Sequence, residues 1–218
     1  MDNITFERTH QPIFSETTNF ELLPVQHNPV KVIESGFKSK PFIEANTTEV
    51  DFSHLKNDCI IPVFSKDNEK TIAHQEFIDI VQECASRVFK NYSLDNPEIR
   101  VSHQIKGRTP EAIHKQVKDL LDHEKTIYYE RMAFIIRIPN ICESINGNKL
   151  SLTVGGVRAY NQENLYNRKT FEKFKIFIGF QNMVCCNLCV SSDGFVEDMR
   201  ISSYQEFSQK VTQIFQEY

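Results

Sequence analysis

Residues 127–162 read IYYERMAFIIRIPNICESINGNKLSLTVGGVRAYNQ, a run of alternating apolar and polar positions rich in β-branched and aromatic side chains. That two-residue period predicts antiparallel strands. Asn146-Gly147 predicts a tight hairpin between them, because both residues tolerate the positive φ that its central positions need. Pairing counted outward from this turn sets Ile136 opposite Val157, Phe134 opposite Ala159 and Met132 opposite Asn161, with Ile135 opposite Arg158 and Ala133 opposite Tyr160. One face then carries Met132, Phe134, Ile136, Ile138, Val157 and Ala159 as core. The other carries Tyr129, Arg131, Arg137, Arg158 and Tyr160. A one-residue slip would exchange the faces. Beyond Pro139 the sorting changes parity at Leu150, Leu152 and Val154, and Gly155-Gly156 offers a bulge that would break the register.

A second hairpin is expected around Gln181-Asn182, with Phe180 opposite Met183, Ile178 opposite Cys185 and Ile176 opposite Asn187. It puts Phe174, Ile176, Ile178 and Phe180 on an apolar face, and Lys173 and Lys175 on the other. Upstream, Cys59–Phe64 suggests a short edge strand containing Pro62, and Lys66–Glu69 a turn. Phe77, Ile78, Val81, Cys84, Ala85 and Val88 recur at helical spacing within Ile72–Lys90, and Glu98–Ile105 reads as a strand. Thr109-Pro110-Glu111 predicts a helix start running to His123 and burying Ile113, Val117, Leu120 and Leu121. Asp193-Gly194 predicts a third hairpin turn before a strand Phe195–Ile201. Ser203 with Glu206 then forms a capping box for a last helix burying Phe207, Val211, Ile214 and Phe215. The fold class is α+β: a central antiparallel sheet built from hairpins, with two or three helices packed on one side. Residues 1–45, punctuated by Pro12, Pro24, Pro29 and Pro41, read as an extended arm anchored at Phe14, Phe20 and Phe42, followed by a single domain over 46–218.

The 218 residues contain no apolar run of about 18, and the first residues lack the basic start and apolar stretch of a secretory leader. With six cysteines, this favours reduced thiols and a cytoplasmic location, with no membrane partner. The net charge of −4 is uneven. Between Lys90 and Phe180 fifteen Lys/Arg meet ten Asp/Glu, a balance of +5, while the remaining ten and nineteen give −9. A basic region on an acidic chain can bind an anionic partner, although charge runs are commonly plain solvated surface.

Catalytic patterns are sparse. Cys185, Cys186 and Cys189 resemble a metal or redox cluster. In a continuous strand, however, Cys186 and Cys189 would point to opposite faces, and Cys185 and Cys189 would lie too far apart for a disulfide. No second ligand pair has finger-like spacing, so no metal is expected. The seven histidines share no metal-binding spacing, and neither a nucleophile elbow nor a phosphate-binding glycine loop occurs. Hence no catalytic residue and no cofactor are expected. Asn187 is the polar residue hardest to place in the expected sheet. The candidate site is the basic face, with Arg131, Arg137, Arg158, Tyr129, Tyr160, Lys173 and Lys175 as nucleic-acid-binding residues. Guanidinium groups bind phosphates, and tyrosine rings stack on bases. The alternative is a face covered by other elements, with the Arg stems packed and their heads at the rim.

The runs DCIIPVFSKDNEKTIAHQEFI, EIRVSHQIKGRTPEAIHK, IYYERMAFIIRIP, LTVGGVRAYNQENLYN and FIGFQNMVCCNLCVSSDG resemble an uncharacterised domain-of-unknown-function family of Bacteroidetes. The likeness covers most of residues 40–218. More loosely, KDNEKTIAHQEFIDI and MVCCNLC resemble runs in phage- and plasmid-like proteins of unknown function. The resemblance implies a mobile-element setting and members that extend past the position of Tyr218, and it supplies no catalytic residue. Together these expectations describe a non-enzymatic protein that binds nucleic acid, single-stranded DNA in particular, in replication, recombination or transfer of a mobile element. The competing expectation is an interaction protein that inhibits a host defence or regulates a protein partner, with self-association also open.

Overall fold

The computed structural model describes residues 42–60, 71–162 and 171–218, which lie within a compact unit, Lys40–Tyr218, distinct from Met1–Ser39. The expected arm anchors Phe14 and Phe20, and the turn at Lys66–Glu69, lie outside the described residues. The main sheet has six antiparallel strands in the order β2-β3-β4-β5-β6-β9. These are β2 (Thr48–Glu49), β3 (Glu98–Arg108), β4 (Lys125–Ile145), β5 (Asn148–Ala159), β6 (Glu172–Gly179) and β9 (Phe195–Ile201). A small second sheet runs β1-β7-β8, from β1 (Ile43–Glu44), β7 (Asn182–Cys185) and β8 (Val190–Ser192), with β1 parallel to β7. Among the described residues, three α-helices complete the α+β fold: α1 (Phe52–Asn57), α2 (His74–Val88) and α3 (Tyr204–Glu217).

Two apolar clusters lie on opposite faces of the main sheet. On one, Leu55 of α1, Phe77, Ile78, Val81 and Cys84 of α2, and Phe207, Val211 and Ile214 of α3 pack with Met132, Phe134, Ile136, Ile138, Ile176 and Ile178. Phe77 is fully buried at its centre, meeting Phe134 and Phe174 edge-on at 5.1 and 4.9 Å. Removing such a ring would cost about 3–5 kcal/mol. On the opposite face, the small sheet sets Phe42, Ile43, Val184 and Leu188 on Ala133, Ile135, Val157, Ala159 and Phe177. The helices at 74–88 and 204–217 match their apolar spacing. Ser203 Oγ accepts from the Glu206 N–H at 3.2 Å, while the Glu206 carboxylate accepts from the Ser202 N–H at 2.9 Å.

The hairpin turn forms where the sequence places it, with Asn146 at φ 52° and Gly147 at φ 79°. The register counted from it holds only as far as Cys142↔Ser151. Next comes Ile138↔Leu152, leaving Pro139, Asn140 and Ile141 without partners in the ladder. Pro139 has no N–H to give a ladder, and its carbonyl accepts the Cys142 thiol at 2.8 Å. A three-residue slip is odd, so it exchanges the faces of β5 relative to β4. Met132 therefore lies opposite Arg158, and Phe134 opposite Gly156, instead of Asn161 and Ala159. Val157 and Ala159 move to the small-sheet side. Gly155-Gly156 is regular strand and not a bulge. A Cβ at Gly155 would collide with the Phe134 carbonyl and the Phe177 ring, and one at Gly156 would collide with the Phe77 ring. The two glycines make room for aromatic rings on both faces.

Three further expectations are corrected. Gln181-Asn182 is not a hairpin turn, since β6 pairs with β9 and β7 belongs to the other sheet. Asp193-Gly194 is a corner between sheets, where Asp193 Oδ1 accepts the N–H groups of Phe180 and Gln181. Thr109–His123 is not a helix but three short 3-10 turns, separated by extended backbone at Gln116, Leu120 and Leu121. Ile113, Val117 and Leu121 are exposed there. Without a surface to bury against, an apolar stripe does not hold a helix. Helix α1 carries no sequence signal strong enough to mark it in advance. Cys59 and Ile60 are not strand, although the Ile60 N–H reaches the Ile127 carbonyl at 2.9 Å; the rest of that expected strand lies outside the described residues.

Candidate functional site

Side-chain alternation on the observed register, and for Tyr129 its packing contacts, divide the seven candidate residues. Arg131 and Arg137 share the small-sheet face of β4 with Ala133 and Ile135. Lys173 and Lys175 share that face of β6 with Phe177, which packs beneath the small sheet. Arg131 lies opposite Ala159, Val157 opposite Lys175, and Lys173 opposite Arg200. Continued two residues past Val157–Lys175, the β5–β6 register sets Arg131, Lys173 and Arg200 in one row across the sheet, with Lys175 in the next. Lys173 and Arg200 are thus directly cross-strand neighbours of like charge.

Anionic partners differ along this face. Lys175 Nζ lies 3.2 Å from Asp198, and Arg137 lies 2.7 Å from Glu98 at the far end. Arg100 also points to this face and is held by Thr47 and by Glu49 of the edge strand. Arg131 donates to the Cys186 carbonyl at 3.3 Å, and no carboxylate among the described residues pairs with Arg131 or Arg200. Sequence reasoning missed Arg200 because nothing local marks β9 as the neighbour of β6.

The other three candidates lie on the helix side. Arg158 is fully buried, donating to the Ile72 carbonyl and to the Glu172 carboxylate. Its guanidinium lies over the rings of Tyr160 and Phe174, 4.6 and 4.4 Å from their centroids. Tyr160 is buried too and stacks on His74 at 4.3 Å. Neither offers a surface for phosphate or base; the slip at Pro139 put them in the core. Tyr129 packs against the helix-side cluster, and its hydroxyl meets His54 Nε2 at 3.1 Å. His74 Nε2 donates to the Tyr129 carbonyl at 2.9 Å, leaving Nδ1 buried without a partner. Burial, then the Arg158 charge, pushes the His74 pKa down to about 3, so the ring is neutral.

The cysteine trio does not lie on a continuous strand. Strand β7 ends at Cys185, and the chain turns back through Cys186, Asn187 and Leu188 into β8. Asn187 is thus a turn residue and does not face Ile176. The Leu188 N–H donates to the Cys185 carbonyl at 2.9 Å and the Cys185 N–H to the Cys189 carbonyl at 3.0 Å. Cys185 and Cys189 are therefore neighbours across a hairpin. Among the described residues, no group of three or more His, Cys, Asp or Glu is placed to hold a metal ion, and no helix is long and apolar enough to cross a membrane.

In comparison with known families the chain matches, over residues 25–218, "Domain of unknown function, B. Theta Gene description (DUF3871)". The chain belongs to this family. Its description assigns no activity, so function in DUF3871 has to be read from the residues. No curated protein and no solved structure matches the chain.

Proposed function

We propose that this DUF3871 protein binds nucleic acid through phosphate contacts from the small-sheet face, with Arg131, Lys173, Lys175 and Arg200 as the principal cations and Arg137 at the far end. The observation that carries this reading is the row Arg131–Lys173–Arg200, which spans four strands on one face, with Ala159 of β5 between Arg131 and Lys173. On a protein with net charge −4, this row gathers positive charge on one face. Arginine forks and lysine point charges suit phosphate oxygens, and a backbone-reading surface needs no catalytic group. Tyr129 and Tyr160, the basis for expecting base stacking, lie on the other side of the sheet, so the reading narrows to backbone contact. The setting is the mobile-element biology that the sequence resemblance implies, in replication, recombination or transfer.

The direct test is fluorescence anisotropy with labelled single-stranded and duplex DNA at low salt. Binding that weakens steeply with added salt supports the proposal; no binding to either probe at low salt contradicts it. A second reading, a protein-interaction factor, is favoured by the exposed Ile113, Val117 and Leu121 on the excursion between β3 and β4. Under that reading, charged residues at these three positions would abolish partner binding and leave anisotropy with DNA unchanged.

A further inference from the structure

The turn that joins β7 to β8 places two thiols side by side at the surface. The hydrogen bonds from Leu188 to Cys185 and from Cys185 to Cys189 close a three-residue loop, with Leu188 in the left-handed region at φ 59°. A branched residue tolerates that conformation only when its surroundings hold it, and the Leu188 side chain is buried in the small-sheet cluster. Residues paired in this way across a hairpin have Cα atoms about 5.5 Å apart, inside the range that a disulfide spans. Cys189 is exposed and Cys185 half-buried. Both line an open hollow of about 280 Å³ together with Glu44, Met183, Val184, Val190 and Ser191. Arg131 holds the loop from below through the Cys186 carbonyl.

We propose that Cys185 and Cys189 are a redox-active dithiol, oxidised reversibly to an intramolecular disulfide by low-molecular-weight disulfides that enter this hollow. Cys185 is the attacking thiol. The Asn187 and Cys189 backbone N–H groups point at its sulfur and hold its pKa below the ordinary value, while the hydrogen bond to Cys185 and the charge on that sulfur hold Cys189 above it. The Cys185 thiolate attacks one sulfur of the small disulfide, forming a mixed disulfide and expelling one thiolate. Cys189 then loses its proton to that thiolate and attacks the Cys185 sulfur, expelling the second. The sum converts one protein dithiol and one small disulfide into one protein disulfide and two small thiols. A disulfide confined to an exposed tight loop is of the labile, regulatory kind and not a structural staple. This inference is independent of nucleic-acid binding.

The test is incubation of the reduced full chain with oxidised glutathione, followed by alkylation of free thiols and fragmentation mass spectrometry of the 176–200 peptide. The expected result is a Cys185–Cys189 link that dithiothreitol reverses, kept in Cys186→Ser and lost in Cys185→Ser. Cys189→Ser should instead trap glutathione on Cys185, at least ten-fold faster than Cys185→Ser accumulates it on Cys189. Retention of all six free thiols in the wild type, a link through Cys186, or faster modification of Cys189 would overturn the proposal. The wild-type mapping decides the matter even where a variant folds poorly.

Discussion

Arg158→Met should destabilise the fold by about 3–5 kcal/mol, the range for removing one partner of a buried ion pair. The structure indicates why the loss is at the high end of point substitutions. The guanidinium is fully enclosed and bonded to the Ile72 carbonyl and Glu172, while Glu172 also accepts the Ile72 N–H at 3.0 and 3.2 Å. Methionine fills much of the volume between Tyr160 and Phe174. It nevertheless leaves the Glu172 carboxylate and the Ile72 carbonyl without that donor. Adding Glu172→Gln removes the carboxylate charge and keeps an acceptor for the Ile72 N–H. The double variant should therefore recover about 2 kcal/mol relative to Arg158→Met alone, a coupling of the size neighbours in one network show. Urea denaturation followed by circular dichroism measures all three variants, with the slope checked for constancy. A loss below about 1 kcal/mol for Arg158→Met, within the range of surface substitutions, would refute the buried placement. It would also restore Arg158 as a surface residue.

Gly147→Ala should lower stability by about 1 kcal/mol, because φ 79° suits glycine and strains a residue with a Cβ; equal urea midpoints would contradict the turn. Gly156→Ala should cost about 1–3 kcal/mol by forcing the Phe77 ring aside, and Phe77→Leu in the same chain should recover part of it. His74 has a folded pKa of about 3 against an ordinary 6.5, so the unfolded chain binds the extra proton between these values. The stability it contributes is present above pH 6.5 and falls by up to about 1.4 kcal/mol per pH unit toward pH 3. His74→Gln should flatten that part of the pH profile, and an unchanged slope would contradict the buried neutral ring.

Period and turn chemistry made the helices at 74–88 and 204–217, the strands at 98–108 and 195–201 and the Asn146-Gly147 hairpin legible in the sequence. In each of these, local preference and tertiary burial agree. The failures have specific causes. Pro139 interrupts a ladder without announcing how many residues will be left out, and an odd slip was enough to send Arg158 and Tyr160 into the core. The segment 109–123 has a sound helix start and an apolar stripe, but Ile113, Val117 and Leu121 of that stripe are left exposed. The pairings of β6 with β9, and of β7 with β1 and β8, join residues distant in sequence or bridge an unmarked corner. Arg131, Arg137, Lys173 and Lys175 kept their shared face because each lies within a regularly alternating stretch. Arg200 and the Cys185–Cys189 juxtaposition needed the strand order and the loop geometry.

The measurement closest to the central claim is the salt dependence of single-stranded DNA binding for the wild type and for Arg131→Ala/Arg200→Ala, both confirmed folded by thermal melting. Removing two cations that each neutralise a phosphate should reduce the slope of log K against log salt by about 1.4, and Lys56→Ala on α1, across the sheet, should leave it unchanged. An unchanged slope in the double variant, or an equal reduction in the Lys56 control, would contradict a phosphate-binding row on the small-sheet face.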